Sequence, residues 1–181
     1  MILGLSTSMF TSVHVALSLI GIVSGVIVLY GMVRATRLDG WTALFLTTTV
    51  LTSVTAFFFP FTKFGPAHAV GVLSLVVLAA AIVALYFFRL AGPWRWVYVV
   101  GAVLALYLNV FVAVVQAFQK LPLLAALAPT QSEPPFLVAQ LVVMAVFIVL
   151  GLTAVKRFHG QLSNIRGSHR ANGPERRLPS R

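Results

Sequence analysis

Two histidines in apolar surroundings are the residues of this sequence whose type and position best suit cofactor chemistry. His14 lies in TSVHVALSLIG and His68 in GPAHAVG, each at the start of a long apolar stretch. Two imidazoles that enter a membrane from the same side could hold a haem b between them, or a metal ion with Glu133 as a third ligand. The alternative is that both are interface histidines, hydrogen-bonded to backbone or water.

The surroundings of His14 indicate which way its side chain points. Ser18, Gly21 and Gly25 follow it at i+4, i+7 and i+11, so the four residues share one face of a helix. Small residues on one face mark where a neighbouring helix approaches closely. We therefore expect His14 to point into the protein rather than at lipid.

Amides and hydroxyls form a second set of candidate residues, because a polar side chain in hydrocarbon must find a partner. Asn109 and Gln116 share a helix face, Gln140 lies early in the last apolar stretch, and Thr52 lies in TTTVLTSVT. They could line a small cavity, open to the outer side, for a quinone headgroup or another polar ligand. The alternative is hydrogen bonding between helices.

Carboxylates and thiols are too scarce for most catalytic chemistry. Asp39 lies where a polar cap would begin a helix, Glu133 precedes two prolines that suit a first turn, and Glu175 is near the C-terminus. There is no cysteine, and no charged residue lies in the middle of an apolar stretch. This disfavours proton carriers built on buried carboxylates, two-carboxylate hydrolases and thiolate sites. We expect a protein without a catalytic site.

The elements that must position these residues are membrane spans. Of the 181 residues, 60% are hydrophobic and 9% are charged, whereas soluble domains have about 25% charged residues. A span needs about 20 apolar residues, and five such stretches occur: 13–33, 41–61, 67–88, 96–118 and 136–155. The sequence predicts an all-α membrane protein, with five transmembrane helices in one bundle over residues 1–155 and a flexible basic tail over residues 156–181.

The distribution of Lys and Arg predicts the orientation, because short basic loops stay in the cytoplasm. With the N-terminus outside and the C-terminus inside, only Lys63 and Lys120 face outwards. The other basic residues all lie on the inner side: Arg34, Arg37, Arg89, Arg95, Lys156, Arg157, Arg166, Arg170, Arg176, Arg177 and Arg181.

The net charge of +10 could suggest a nucleic-acid partner, but the basic residues lie at helix ends and in the tail without interleaved aromatic residues. We therefore expect no nucleic-acid partner. The predicted partners are the bilayer, anionic lipid headgroups at the tail, and a second membrane subunit.

An internal repeat is suggested by two similar segments. LSL at 17–19 and LY at 29–30 recur 56 positions later, and RLDGW at 37–41 is answered by RLAGPW at 89–94. This predicts a duplicated helical hairpin, with spans 1 and 2 related to spans 3 and 4 and a fifth span added. The loop 120–135 is expected to form a short interfacial helix, a partner contact or a lid.

The segments RLDGWTALFL, FFFPF and LAPTQSEPPFLVAQ together resemble a group of small bacterial integral membrane proteins of uncharacterised function. The resemblance covers the five spans and excludes the tail. It implies a five-span protein of the bacterial inner membrane, and it implies no activity, ligand or catalytic residue.

Three functions remain as hypotheses. The first is a non-catalytic inner-membrane protein that serves as an accessory or assembly subunit, or binds a small apolar ligand. The second is a redox subunit that holds haem b through His14 and His68 and exchanges electrons with quinone on the outer side. The third is a small carrier or channel lined by the outer amides and hydroxyls.

Overall fold

A computed structural model describes residue 4, residues 6–59 and residues 65–171, with residues 66–67 and 159–171 described by their backbone alone. Lys63, the predicted end of span 2 at residue 61, and the end of the tail, residues 172–181, lie outside the described residues. Every regular element in the described part is helical. The helices are α1 (Thr7–Val33), α2 (Asp39–Ala56), α3 (Pro66–Ile82), α4 (Trp94–Lys120), α5 (Pro122–Leu127) and α6 (Pro134–Ala171), and a π-helix, Val83–Phe87, continues α3.

Four of these helices are long and apolar enough to cross a membrane, which suggests a multi-pass membrane protein. The segments are Thr7–Val33, His68–Phe87, Trp94–Lys120 and Pro134–Phe158. They correspond to the first, third, fourth and fifth predicted spans. The second predicted span corresponds to α2, which is not among these four helices. It has 18 residues and carries several threonines and serines, so it is less apolar than the others.

Helix α2 ends earlier than the predicted span 41–61. The last helical residue is Ala56, and Phe57 and Phe58 form a turn. Phe59 directly precedes Pro60 in the sequence, and the proline ring disfavours helical backbone at the residue before it. The ring of Phe59 packs against Phe10 and His14 of α1, at centroid distances of 5.1 and 5.3 Å.

Helix α6 continues well beyond the boundary of the last span predicted at residue 155, so residues 156–171 of the predicted tail are helical. The physical reason is that this segment contains no proline before Pro174. Gly160 and Gly167 each cost about 1 kcal/mol relative to alanine, which does not by itself end a helix. The whole of α6 is 38 residues long, or about 57 Å at 1.5 Å per residue.

Helix α4 is the centre of the bundle and contacts every other α-helix. Half of its most apolar segment is buried inside the protein, against 6% for α6, which packs only along a narrow stripe. Glycines allow the closest approaches. A Cβ on Gly25 of α1 would lie 2.6 Å from Leu106 of α4 and 2.8 Å from Phe45 of α2, and one on Gly101 of α4 would lie 3.1 Å from Ala81 of α3. These contacts confirm that the small-residue face of α1 packs against neighbouring helices.

The two segments that suggested a repeat have different backbone conformations. In the first turn, Ala35 is left-handed (φ 57°) and the amide of Thr36 donates to the carbonyl of Gly31. In the second turn, Arg89, Leu90 and Gly92 are left-handed. The most extensive helix contacts are nevertheless within the pairs α1–α2 and α3–α4, as two helical hairpins require.

Asp39 does not cap α2 as predicted. Leu38 occupies the cap position and makes no side-chain cap hydrogen bond. The Asp39 carboxylate instead pairs with Arg37, 2.8 Å from Nη2 and 3.0 Å from Nε. Asp39 is already the first helical residue, so its side chain is one position too late to accept as an N-cap.

Candidate functional site

His14 and His68 both lie near the C-terminal end of α2, on helices that pack on α2 from different sides. His14 Nδ1 lies 2.8 Å from Thr55 Oγ1. That hydroxyl already donates to the carbonyl of Leu51 at 2.7 Å, so it accepts from His14 Nδ1–H, and Nε2 is the ring's unprotonated nitrogen. His14 is therefore an interface histidine between α1 and α2.

His68 caps the helix that it begins. Its Nδ1 accepts from the amide of Gly65 at 3.2 Å, so the proton of a neutral ring is on Nε2. Its ring packs against Phe57, with the centroids 5.9 Å apart. Ligation of a haem iron through Nε2 would require moving this proton to Nδ1, which would break the cap.

Glu133 does not join the histidines. Its carboxylate accepts from the amide and hydroxyl of Thr130, at 3.1 and 2.9 Å, and from the amide of Ser132 at 3.1 Å. Within the described residues, no three His, Cys, Asp or Glu side chains converge as metal ligands do. The described part of the structure thus does not bring Glu133 together with His14 and His68, and local hydrogen bonds in the loop occupy its carboxylate.

The pKa of Glu133 lies below its usual value of 4.5. Desolvation raises it, but the hydrogen bonds from its own backbone, from Thr130 and from Ser132 together lower it by more. Each of these donors favours the charged carboxylate. Glu133 thus holds the loop that leads into α6.

Asn109 contacts other helices, as expected of a deep amide. Its Nδ2 donates to Thr49 Oγ1 of α2 at 3.4 Å, a long hydrogen bond. The opposite wall is the backbone of Gly21 in α1, where a Cβ would lie 3.2 Å from both Asn109 Nδ2 and Thr49 Oγ1 and 3.3 Å from Thr48 Oγ1. Three helices therefore meet here at a packed polar junction.

The other predicted cavity residues do not gather around Asn109. Gln140 of α6 donates from Nε2 to the carbonyl of Phe111 at 3.2 Å, on the side of α4 that is turned away from Asn109 by helical spacing. Gln116 is exposed. Thr52 is buried in α2, and its Oγ1 has no hydrogen-bond partner among the described residues. The structure therefore does not bring these four side chains together.

An apolar groove of about 440 Å³ lies between α4 and α6, and none of the predicted site residues lines it. The lining atoms are entirely apolar. At its floor Gly151 of α6 approaches Val103 of α4, where an added Cβ would lie 3.2 Å from Val103 Cγ1. We call this space the α4–α6 groove; its lining comprises Val100, Val103, Leu104, Tyr107, Met144, Phe147, Ile148, Gly151, Leu152 and Val155.

Two residues with hydrogen-bond donors, Trp96 and Lys156, lie beside one end of the α4–α6 groove. Trp96 precedes Val100 by one helical turn and is 48% exposed, and Lys156 follows Leu152 by one turn on α6 and is exposed. Residues four apart lie on one face, so both side chains continue the walls of the groove. Sequence reasoning missed this site. The available signal was Gly151, a glycine within an otherwise bulky apolar stretch.

Comparison with known proteins adds no relative: no protein family, curated protein or solved structure matches this chain.

Proposed function

We propose that this chain is a non-catalytic membrane protein of the bacterial inner membrane that binds a small apolar ligand in the α4–α6 groove. In this proposal five helices, α1 to α4 and α6, cross the bilayer, with the N-terminus outside and the C-terminus inside. The 18 residues of α2 correspond to about 27 Å, which is close to the hydrocarbon thickness of about 30 Å. The Lys and Arg distribution supports the orientation.

The α4–α6 groove is the observation that carries the proposal. Its volume of about 440 Å³ falls in the range of roughly 300 to 1,000 Å³ that is typical of ligand pockets. Two of the polar side chains that the sequence assigned to a cavity are engaged in helix packing instead: Asn109 and Gln140 donate hydrogen bonds across helix interfaces. An apolar ligand suits this chain better than a polar one.

The test is a comparison of bound apolar molecules in two purified variants. In Leu152→Trp the indole would fill the groove, because Leu152 lines it. In Val149→Trp the same residue is added at a position that is 62% exposed and outside the groove. We expect solvent extraction and mass spectrometry to find one apolar species in the native protein and in Val149→Trp, and several-fold less of it in Leu152→Trp. Equal amounts in both variants would refute the proposal.

A second candidate is an accessory subunit that uses the outer surface of α6. This helix buries 6% of its most apolar segment, and Val138, Val142 and Val149 are each more than half exposed. A photo-crosslinking residue at Val142, which is 57% exposed, should then capture one partner in native membranes. The same residue at Val76 of α3, which is 62% exposed, should not. Identical crosslinking at both positions would indicate lipid contact alone.

The redox alternative rests on His14 and His68, and a difference spectrum tests it. Protein purified from haem-replete cells would show a Soret band, reduced minus oxidised, that is lost in both His14→Ala and His68→Ala. A colourless preparation is our expectation, because ligation through Nε2 of His68 would break the hydrogen bond from the amide of Gly65 to its Nδ1. His14, whose Nε2 carries no proton, would then lack the second axial ligand. The carrier alternative would require a path to Asn109, which is packed between Gly21 and Thr49.

A further inference from the structure

The length of the α4–α6 groove matches one leaflet of a bilayer. On α6 its lining runs from Met144 to Val155, a rise of about 16 Å at 1.5 Å per residue. The hydrocarbon core is about 30 Å thick, so the groove extends over roughly half of it. A single acyl chain of one leaflet has this extent, because it runs from the headgroup level to the middle of the membrane.

The charge at one end of the groove identifies the headgroup. Lys156 continues the groove wall from Leu152, one turn further along α6. No carboxylate in the described residues pairs with Lys156. Asp39 forms an ion pair with Arg37, and Glu133 accepts hydrogen bonds from Thr130 and Ser132. The exposed Trp96 on the facing helix is suited to the headgroup level, where its indole N–H can donate.

We propose that the α4–α6 groove binds an anionic phospholipid of the inner leaflet, with one acyl chain along the groove and the phosphate beside Lys156 and Trp96. This inference rests on the proposed function and extends it: the apolar group in the groove is an acyl chain, and the molecule that carries this chain has its charged headgroup outside the groove. Lys156, on the groove side of α6, gives the site its preference for anionic headgroups. Arg157 lies about 100° further round the helix and does not share this position.

The experiment is native mass spectrometry of the detergent-purified full chain, with phosphatidylglycerol and phosphatidylcholine of identical acyl chains added in equal amounts. One Lys near a charged lipid surface contributes about 1 kcal/mol, which is roughly a fivefold preference. We expect the native protein to retain phosphatidylglycerol about fivefold over phosphatidylcholine. Lys156→Gln should bring this ratio close to one, and Arg157→Gln should leave it unchanged.

The groove variants separate the failure of this inference from the failure of the proposed function. If Leu152→Trp loses both lipids, Val149→Trp keeps both, and Lys156→Gln keeps the native ratio, the groove binds lipid but does not select its charge, and the inference is overturned. If Leu152→Trp and Val149→Trp retain lipid equally, the proposed function fails and the inference fails with it. Equal effects of Lys156→Gln and Arg157→Gln would show a general attraction to basic residues and would also overturn it.

Discussion

At the residue scale, glycines decide how closely the helices pack. Gly25 has Leu106 on one side and Phe45 on the other, both nearly fully buried. Gly21 allows Asn109, Thr48 and Thr49 to meet against the backbone of α1. In a membrane, helix association depends on such close packing and on interhelical hydrogen bonds, because lipid removes the usual hydrophobic driving force.

The first prediction concerns Gly25. Gly25→Ala should lower the free energy of unfolding by about 1 to 3 kcal/mol, because its Cβ would overlap Leu106 and Phe45 in a packed interior. Gly40→Ala is the matched control, since a Cβ there meets nothing within 4 Å. Because Gly40 is helical, Gly40→Ala should raise the free energy of unfolding by up to about 1 kcal/mol. Thermal unfolding in detergent measures both, and equal signs for the two variants would contradict the packing.

Glu133 gives the second prediction, a pH dependence. Because its pKa is lowered in the folded protein, the carboxylate contributes stability above its unfolded value of about 4.5. This contribution is lost as the pH falls through the lower folded pKa. We expect the native melting temperature to decrease on acidification below that value, and Glu133→Gln to reduce the decrease. Glu175→Gln, which removes a carboxylate from the C-terminal segment, is the control and should retain the native profile.

At the element scale, the turns between helices contain left-handed backbone at residues whose types do not predict it. Ala35, which follows α1, has left-handed backbone. Arg89 and Leu90, two consecutive residues after the π-helix, are left-handed as well. For residues other than glycine, this conformation is less stable by roughly 1 to 2 kcal/mol. These turns set the direction in which α2 and α4 leave.

The third prediction tests the α1–α2 turn. Ala35→Gly should stabilise the protein by about 0.5 to 1 kcal/mol, because glycine accepts a φ of 57° without the steric cost. The same substitution at Ala43, an exposed helical residue of α2, should destabilise it by about 1 kcal/mol. Chemical unfolding in detergent compares the two variants. A destabilising Ala35→Gly would mean that this turn is not left-handed.

At the scale of the whole molecule, α4 organises the bundle and α6 remains largely unburied along its apolar length. The main buried core lies largely within α1 to α4, and α6 contributes Ala154 and Phe158 to it. The α4–α6 groove lies between these two helices, where Gly151 of α6 approaches Val103 of α4.

The fourth prediction concerns topology, and the absence of cysteine makes it simple to test. Single cysteines would be placed at Thr36, Phe58 and Ser132, all exposed in turns or loops. With five crossings and the N-terminus outside, a membrane-impermeant maleimide should label positions 58 and 132 in intact cells, and position 36 only after lysis. Labelling of 36 and 58 from the same side would show that α2 does not cross.

Much of the fold was predictable because long apolar stretches have few alternatives to helices. Thr7–Val33, Trp94–Lys120 and Pro134–Phe158 lie close to the predicted spans, and the short helix α5 falls within the loop 120–135. The inward face of α1 was also predictable, since the spacing of Gly21 and Gly25 follows helix geometry alone. The helical extension of α6 beyond residue 155 does not follow from its polar, basic composition, and it is possible because no proline occurs before Pro174.

The candidate site was less predictable from the sequence than the fold was. By itself the sequence determined where chemistry is scarce and which residues must avoid lipid, because those are properties of single side chains and of helical period. Only the tertiary structure decided which of them meet: it assigned His14 to Thr55, His68 to the start of its own helix and Asn109 to Thr49. It also created the α4–α6 groove, since the shape between two helices depends on how far apart their backbones lie, and one sequence stretch does not specify that distance.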